Sequence, residues 1–481
     1  MSVSKLSGLQ PQRVFHYFEE LCGIPHGSGN TKAISDYLVA YAKAHDLRYI
    51  QDELNNVILF APGSAGYEDH SPVILQGHMD MVCQKDEDSN IDFATDGLDV
   101  DHDDQWVFAH GTTLGGDNGI AVAYALALLE DQSIPHPPLE VVVTVDEETG
   151  MYGAAGIDLS MLKGRMLLNL DSEEEGIFTV SCAGGCRSTL EMKVQRRVIY
   201  GPGISLTVDG LQGGHSGAEI HKNRGNANKL MGQLLERILD KMPLCLATLA
   251  GGSADNAIPR SCQATMVAMS MDLEQINGIV EEFQAQIRRE YNEPEAVVRA
   301  DNIDSLGGYA VPADTSARII KLLNMLPNGI QAMSQSMPGL VQTSLNLGVM
   351  KLDNEDMKLT FSVRSSVNQE KKALLEVLEN IARVSDCSYT QMGDYPAWEY
   401  KEESALRDVM VRTYRDMYGC EPQVMSIHAG LECGLLSEKL PGLDCVSMGP
   451  NMQDIHTSRE KLNIASVERV WNYLLRVLQA L

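Results

Sequence analysis

Five short segments carry histidine and carboxylate groups placed where they could work together: Gln76-Gly-His78-Met-Asp80, Gly115-Gly-Asp117-Asn-Gly119, Asp146-Glu147-Glu148-Thr-Gly150, Asn169-Leu-Asp171-Ser, and Ile455-His456-Thr-Ser458 beyond Gly449-Pro. Four follow apolar runs that read as strands, and Gly115–Gly119 opens a helical pattern. In open α/β sheets, ligands gather beyond the carboxyl ends of the strands. Two imidazoles with several carboxylates form a borderline-hard donor set suited to Zn²⁺, or to Mn²⁺ or Co²⁺. Two ions about 3.5–4 Å apart need one bridging carboxylate and a ligand set on either side. Each group alone has a plainer reading. His78 could be structural, Asp117 a helix N-terminal residue, and Glu147 and Glu148 a solvated strand end. Two adjacent carboxylates at the end of an apolar strand repel each other without a cation, and the joint pattern argues for a metal centre. Gly111–Gly119 is glycine-rich but lacks the lysine of a phosphate loop and the spacing of a dinucleotide fingerprint.

The elements that would position these groups change texture along the chain. Up to about residue 180, short apolar strands alternate with helices. Residues 31–45 carry Ile34, Leu38 and Tyr41 at helical spacing behind Asn30 as an N-cap. Strands are expected from Pro72 to Gln76, over Leu139–Val145 and over Met166–Leu170. An apolar helix is expected over Gly119–Glu130, and an Asp-rich loop over 84–104. This is the pattern of an α/β domain with a mainly parallel sheet. From about Cys186, amphipathic strands (Ser188–Tyr200, Ile204–Val208) alternate with long helices (Asn226–Met242, Leu273–Tyr291, Asp314–Leu326), as in an α+β domain. After about Pro396 the first texture returns, with helices at 404–417 and 464–480 and strands at 423–427 and 444–448. The expectation is one catalytic domain, residues 1–185 and 397–481, split by an inserted domain, residues 186–396.

Composition sets the outer bounds. With 481 residues, 44% apolar and 22% charged, the chain is ordinary globular protein. That length suggests about three domains, or two large ones. Lys and Arg number 38 against 66 Asp and Glu, a net charge of −28 that argues against nucleic-acid binding. An acidic surface suits cation capture and solubility. The apolar run Gly119–Leu129 falls well short of the ~20 residues of a membrane span, and Met1–Gln12 shows no apolar signal core. Ten cysteines are too sparse for a disulfide scaffold, and Cys182 and Cys186 lack zinc-ribbon spacing. Thiols in a reducing cytoplasm are expected, with no nucleic-acid or membrane partner.

The metal-site segments resemble the motifs of the M20 metallopeptidases, and within them the aminoacyl-histidine (Xaa-His, or cytosolic non-specific) dipeptidase branch. That branch is also similar in Gly111-Thr-Thr-Leu-Gly, Asp171-Ser-Glu-Glu-Glu-Gly, Gly213-Gly-His-Ser-Gly, Asn256-Ala-Ile-Pro and His428-Ala-Gly-Leu-Glu-Cys-Gly. The resemblance runs from about Leu9 to the last helix. Departures are Gly116, where relatives can carry Ala, and the Asn451–Ile455 loop.

The resemblance implies a di-metal α/β catalytic domain interrupted by a lid. Asp117 would bridge two divalent ions, most simply zinc, with manganese or cobalt as alternatives. His78 and Asp171 would complete one site, and Glu148 and His456 the other. Asp80 would hold the His78 ring and fix its tautomer. Glu147 would be the general base for a metal-bridging hydroxide. In the lid, His215 would polarise the scissile carbonyl. Asn256, Arg364 and the Gly430 backbone would hold the substrate's carboxylate, a task suited to a guanidinium fork. A turn histidine at 215 and a structural ion pair at Arg364 are the plainer alternatives. His221, His428 and Glu432 lie near these motifs and receive no role. The implied activity is hydrolysis of unblocked dipeptides, including carnosine-like Xaa-His compounds, by a cytoplasmic monomer or homodimer. The rival activities on the same site are tripeptide aminopeptidase, carboxypeptidase and N-acyl amino-acid deacylase. A catalytically silent metal-binding protein is disfavoured, because no ligand and no base is missing.

Overall fold

The computed structural model describes residues 4–268 and 273–481. The chain falls into two compact units. One holds the chain up to Ser181 with Tyr400–Ser426 and Leu431–Leu481, and the other holds Cys182–Glu399 with Ile427–Gly430. The return segment Ile427–Gly430 belongs to the second unit because the Ala183 N–H donates to the carbonyls of Ile427 (3.2 Å) and Ala429 (3.0 Å).

The first unit is built on an eight-stranded sheet. At its centre Leu139–Thr144, Val73–His78, Met166–Asn169 and Asp444–Ser447 lie side by side and parallel. These short strands are apolar and buried, as a strand covered on both faces must be. Antiparallel strands flank them: Val57–Ala61 beside Leu139–Thr144, with Arg48–Gln51 outside it, and Ile177–Cys182 beside Asp444–Ser447. The parallel core expected from the sequence therefore sits inside a mixed sheet. Helix Gly116–Glu130 is apolar on every side, and its Ile120–Leu129 stretch is wholly buried, as a helix sunk in a core requires.

Two local expectations are corrected. Helix Lys32–Ala44 has Thr31 at its N-cap, while the Asn30 side chain turns away and donates to the Ala94 carbonyl at 3.2 Å. The 84–104 segment is not all loop, since Val100–His102 pairs with Trp106–Ala109.

The second unit is an antiparallel sheet of nine strands, with Ala227–Leu239, Leu273–Glu290, Ala313–Met325 and Asn368–Val384 sharing one apolar core with it. The expected strand Ser188–Tyr200 is two strands, Gly184–Lys193 and Arg197–Asp209, and the latter absorbs Ile204–Val208. Arg196 makes the break. Its guanidinium donates to the carbonyls of Ala247 (2.7 Å), Tyr309 (3.0 Å) and Asp353 (2.6 Å), which takes the chain out of the ladder.

Candidate functional site

In the first unit the parallel strands deliver their chemistry at one edge. His78 ends its strand, Asp171 lies two residues beyond Asn169, and Glu147 and Glu148 follow Leu139–Thr144. Asp117 enters from the start of the buried helix, where its own backbone is non-helical (φ −84°, ψ 99°). Gly115 sets this entry with φ of 70°, and a Cβ there would lie 3.0 Å from Met81 Sδ and 3.2 Å from His26 Nε2. The Asn118 side chain stitches the entry to two strands, accepting from the His78 N–H at 3.1 Å and donating to the Leu170 carbonyl at 2.8 Å.

Asp117 faces both imidazoles. His78 Nε2 lies 3.2 Å from its Oδ1 and His456 Nε2 lies 3.1 Å from its Oδ2. His78 Nε2 is also 3.6 Å from Asp171 Oδ1, and His456 Nε2 is 2.9 Å from Glu148 Oε1. One carboxylate oxygen per imidazole, each with a further carboxylate beside it, is the layout of two adjoining cation sites. Ligand atoms of His78, Asp117 and Glu148 all fall within 4.8 Å of one another. Among the described residues, none of Asp80, Asp117, Glu147, Glu148 and Asp171 pairs with a lysine or arginine. So much buried negative charge calls for cations, and the donor set fits two divalent ions.

Asp80 holds His78 differently from expectation. The ring Nδ1 donates to the Asp80 main-chain carbonyl at 3.0 Å, with the carboxylate further off at 3.5 Å. The tautomer is fixed all the same, leaving Nε2 as the donor to a metal. The carboxylate instead accepts from Ser28 Oγ (2.8 Å) and from the N–H groups of Glu147 (3.1 Å) and Glu148 (3.4 Å). Asp80 therefore also positions the Glu147–Glu148 turn.

The electrostatics follow from crowding. Burial raises Asp117, but hydrogen bonds from His456 and His78 outweigh it and hold this carboxyl well below the usual range. Burial lifts Glu147 well above its ordinary value; His78 opposes this, while Asp171, Glu432 and Glu148 add to it. Hydrogen bonds to Asp117 and Glu148 push His456 up to about 10.

Two buried carboxylates support the site without having been assigned from the sequence. Glu460 accepts from four backbone N–H groups at the helix entry, Leu114 (2.8 Å), Gly115 (3.2 Å), Gly116 (2.8 Å) and Asp117 (3.3 Å). Glu432 accepts from Gln76 Nε2 at 2.5 Å and Thr144 Oγ1 at 2.6 Å. The only sequence signal for either is an acidic residue close after a motif histidine, His456 or His428.

In the second unit His215, Asn256, Arg364 and Gly430 are drawn into one neighbourhood. His215 pairs with Ala257 across a two-residue ladder, and the Ser216 N–H donates to the Asn256 carbonyl at 2.8 Å. Its Nδ1 accepts from the N–H groups of Gly217 (3.2 Å) and Ala218 (3.0 Å), so the neutral ring carries its proton on Nε2. Burial and Arg364 both push the His215 pKa down. A Cβ on Gly217 would lie 3.0 Å from His215 Cε1 and 3.2 Å from Arg364 Nε. Arg364 donates to the Tyr395 hydroxyl at 3.2 Å, and a Cβ on Gly430 would lie 2.7 Å from the Tyr395 ring. Arg364 is 9% exposed, its Nε has no hydrogen-bond partner, and it forms no ion pair among the described residues. The structural ion pair weighed for it is therefore absent there, and the guanidinium suits an incoming anion.

Comparison with known proteins agrees with this chemistry. Residues 74–480 match the family model described as peptidase family M20/M25/M40. The chain is 36% identical over 481 residues to the cytosol non-specific dipeptidase of Escherichia coli (strain K12), covering 99% of each chain. The solved aminoacylhistidine dipeptidase from Vibrio alginolyticus superposes with a TM-score of 0.93 at 35% identity, over 99% of this chain and 98% of that one. Aminopeptidase PepT from Bacillus cereus shares the fold (TM-score 0.58) at 13% identity, over 98% and 99% of the chains.

Proposed function

The chain belongs to peptidase family M20/M25/M40, and on that premise we propose that it hydrolyses unblocked dipeptides, Xaa-His compounds among them, with two bound divalent ions. The observation that carries the chemistry is the Asp117 carboxylate, with one oxygen facing each imidazole. The substrate class rests on the full-length likeness to two dipeptidases.

In this reading His78 and Asp171 would hold one ion, Glu148 and His456 the other, and Asp117 both. Zinc is the simplest choice, with manganese or cobalt as alternatives. Such a pair, when bound, would supply Lewis acidity toward the scissile carbonyl and the attacking water. Glu147 takes that water's proton as its oxygen bonds to the carbonyl carbon. It then delivers the proton to the leaving amine as the C–N bond breaks. His215 donates from Nε2 to the developing oxyanion. Arg364, with Asn256 and the Gly430 N–H, receives the substrate's terminal carboxylate. The second unit thus serves as the lid. We place it in the cytoplasm as a monomer or homodimer, the location resting on its likeness to a cytosol dipeptidase; none of the ten cysteines forms a disulfide, and no helix among the described residues is long and apolar enough to cross a membrane.

The test is loss of Ala-His, Ala-Ala-His and N-acetyl-His, with the released alanine, histidine and Ala-His identified, with added Zn²⁺ or Mn²⁺ and again after chelation. Metal-dependent cleavage confined to Ala-His is expected. Cleavage of the tripeptide or the blocked compound would overturn the substrate class, and no cleavage with any metal would overturn the activity.

A further inference from the structure

Beneath the proposed ligands lies a buried polar layer that the reaction does not use directly. Gln76 precedes His78 by two residues, and Asn169 precedes Asp171 by two. Gln76 and Asn169 are direct partners in the parallel ladder between Val73–His78 and Met166–Asn169. Asn169 Nδ2 donates to Gln76 Oε1 at 2.5 Å, and Gln76 Nε2 donates onward to Glu432 Oε2 at 2.5 Å. Thr144, the cross-strand partner of His78, donates to the same Glu432 oxygen at 2.6 Å. Glu432, Asn169 and Thr144 are fully buried and Gln76 is 1% exposed. The Glu432 carboxylate ends a chain of donors running Asn169 to Gln76 to Glu432. No Lys or Arg pairs with it among the described residues.

We propose that Glu432 is a positioning residue for one ion of the pair: through Gln76 and Asn169 it fixes the two strand ends that present His78 and Asp171. The inference rests on the ligand assignment made above. Its content is an asymmetry. The chain of bonds ends two residues before His78 and two before Asp171; Thr144 also reaches Glu432, but it stands four residues before Glu148 with the Asp146 turn between them, and His456 lies outside the network. A strand free to shift along its neighbour moves its terminal ligand with it, and removing an outer partner of this kind typically costs roughly 10–100-fold in metal affinity. Glu432 acts as an acceptor. Its Oε1 has no hydrogen-bond partner in the structure, so an amide nitrogen placed there would displace no existing bond.

The experiment titrates Zn²⁺ into the metal-stripped full-length chain against a chromophoric chelator, without substrate. It is run on wild type and on His78→Ala, Glu432→Leu, Glu432→Gln and Gln76→Met. Two ions in wild type and one tight ion in His78→Ala are expected. Glu432→Leu is expected to keep one tight ion and weaken the other roughly 10–100-fold, with Gln76→Met doing the same should Glu432→Leu fail to fold. Glu432→Gln is expected to stay near wild type. Fewer than two ions in wild type would overturn the ligand assignment, and this inference with it. Two wild-type affinities in folded Glu432→Leu, or equal weakening of both ions, would overturn this inference alone. A merely structural role predicts lower thermal stability with no change in the stabilisation that zinc adds; positioning predicts that this increment itself shrinks.

Discussion

His428 shows what the surroundings of one residue do to the whole chain's response to acid. Burial, then the charge of Arg364 and the neighbouring His215, pushes its pKa down to about 3. Its Nε2 meets Ser344 Oγ at 2.7 Å, and its Nδ1 is buried without a partner. In the unfolded chain the ring titrates near 6.5. Between about pH 6.5 and 3 the unfolded state therefore holds a proton that the native state refuses, and stability falls as pH drops through that window. At pH 5 this one group should cost roughly 2 kcal/mol. The expected outcome for His428→Gln is a shallower loss of thermal stability from pH 7 to 5 than in wild type, read by calorimetry. Parallel slopes would show that the ring is protonated in the folded protein. This role was hidden in the sequence, where His428 was one more histidine in a glycine-rich segment. That His78, Asp117, Glu148, Asp171 and His456 would gather was legible, because metal chemistry admits few side chains and their segments follow strands or open a helix. The pairing of Asp80 with His78 was expected from the family resemblance. That Asp80 would act through its carbonyl was not, because main-chain contacts leave no trace in residue type.

The entry to helix Gly116–Glu130 depends on a side chain borrowed from far along the chain. The helix has no side-chain cap of its own at Gly115. Glu460 supplies one, its two oxygens taking the four N–H groups from Leu114 to Asp117. Removing such an acceptor leaves buried donors unsatisfied, at about 1–3 kcal/mol each where they cannot reach water. Glu460→Ala should therefore destabilise the chain by roughly 2–4 kcal/mol in urea titrations, allowing for some water entry. Glu460→Gln keeps one acceptor oxygen for two of the four N–H groups but sets its amide –NH2 against the other two, so it should recover only part of that loss. No destabilisation in Glu460→Ala would show that these N–H groups find other acceptors. The elements read from the sequence fell mostly within a few residues of their observed bounds, because apolar runs of four to six residues and helical spacing are local signals, while others, such as Gln12–Cys22 and Asn368–Val384, were not read at all. Pairing was not local. The antiparallel placement of Val57–Ala61 beside Leu139–Thr144 and of Ile177–Cys182 beside Asp444–Ser447, and the Arg196 break that divides Gly184–Lys193 from Arg197–Asp209, are set by partners distant in sequence.

At the scale of the molecule, the ligand set and the proposed substrate set belong to different units. His78, Asp117, Glu148, Asp171 and His456 fall in the unit made of three chain segments, and His215, Asn256, Arg364 and Gly430 in the other. A ligand that binds the native state stabilises whatever must unfold to release it, by about 2.7 kcal/mol at a hundredfold excess over its dissociation constant. Hydrogen exchange reports that stabilisation segment by segment. Zinc added to the stripped chain should therefore slow exchange in Val73–His78, Met166–Asn169 and the start of Gly116–Glu130. Exchange in Val341–Leu352 and Asp356–Ser365, which carry the second unit's sheet, should not change. A dipeptide whose peptide bond is replaced by an uncleavable link should then slow exchange around Gly213–Gly217 and Ile427–Gly430. On the proposed function, in which one dipeptide meets both the carboxylate anchor and the metal pair, that second effect should require zinc. Protection of the second unit's sheet by zinc alone would mean that the two units unfold as one cooperative body, because only then does a ligand bound to one unit hold the other closed to exchange.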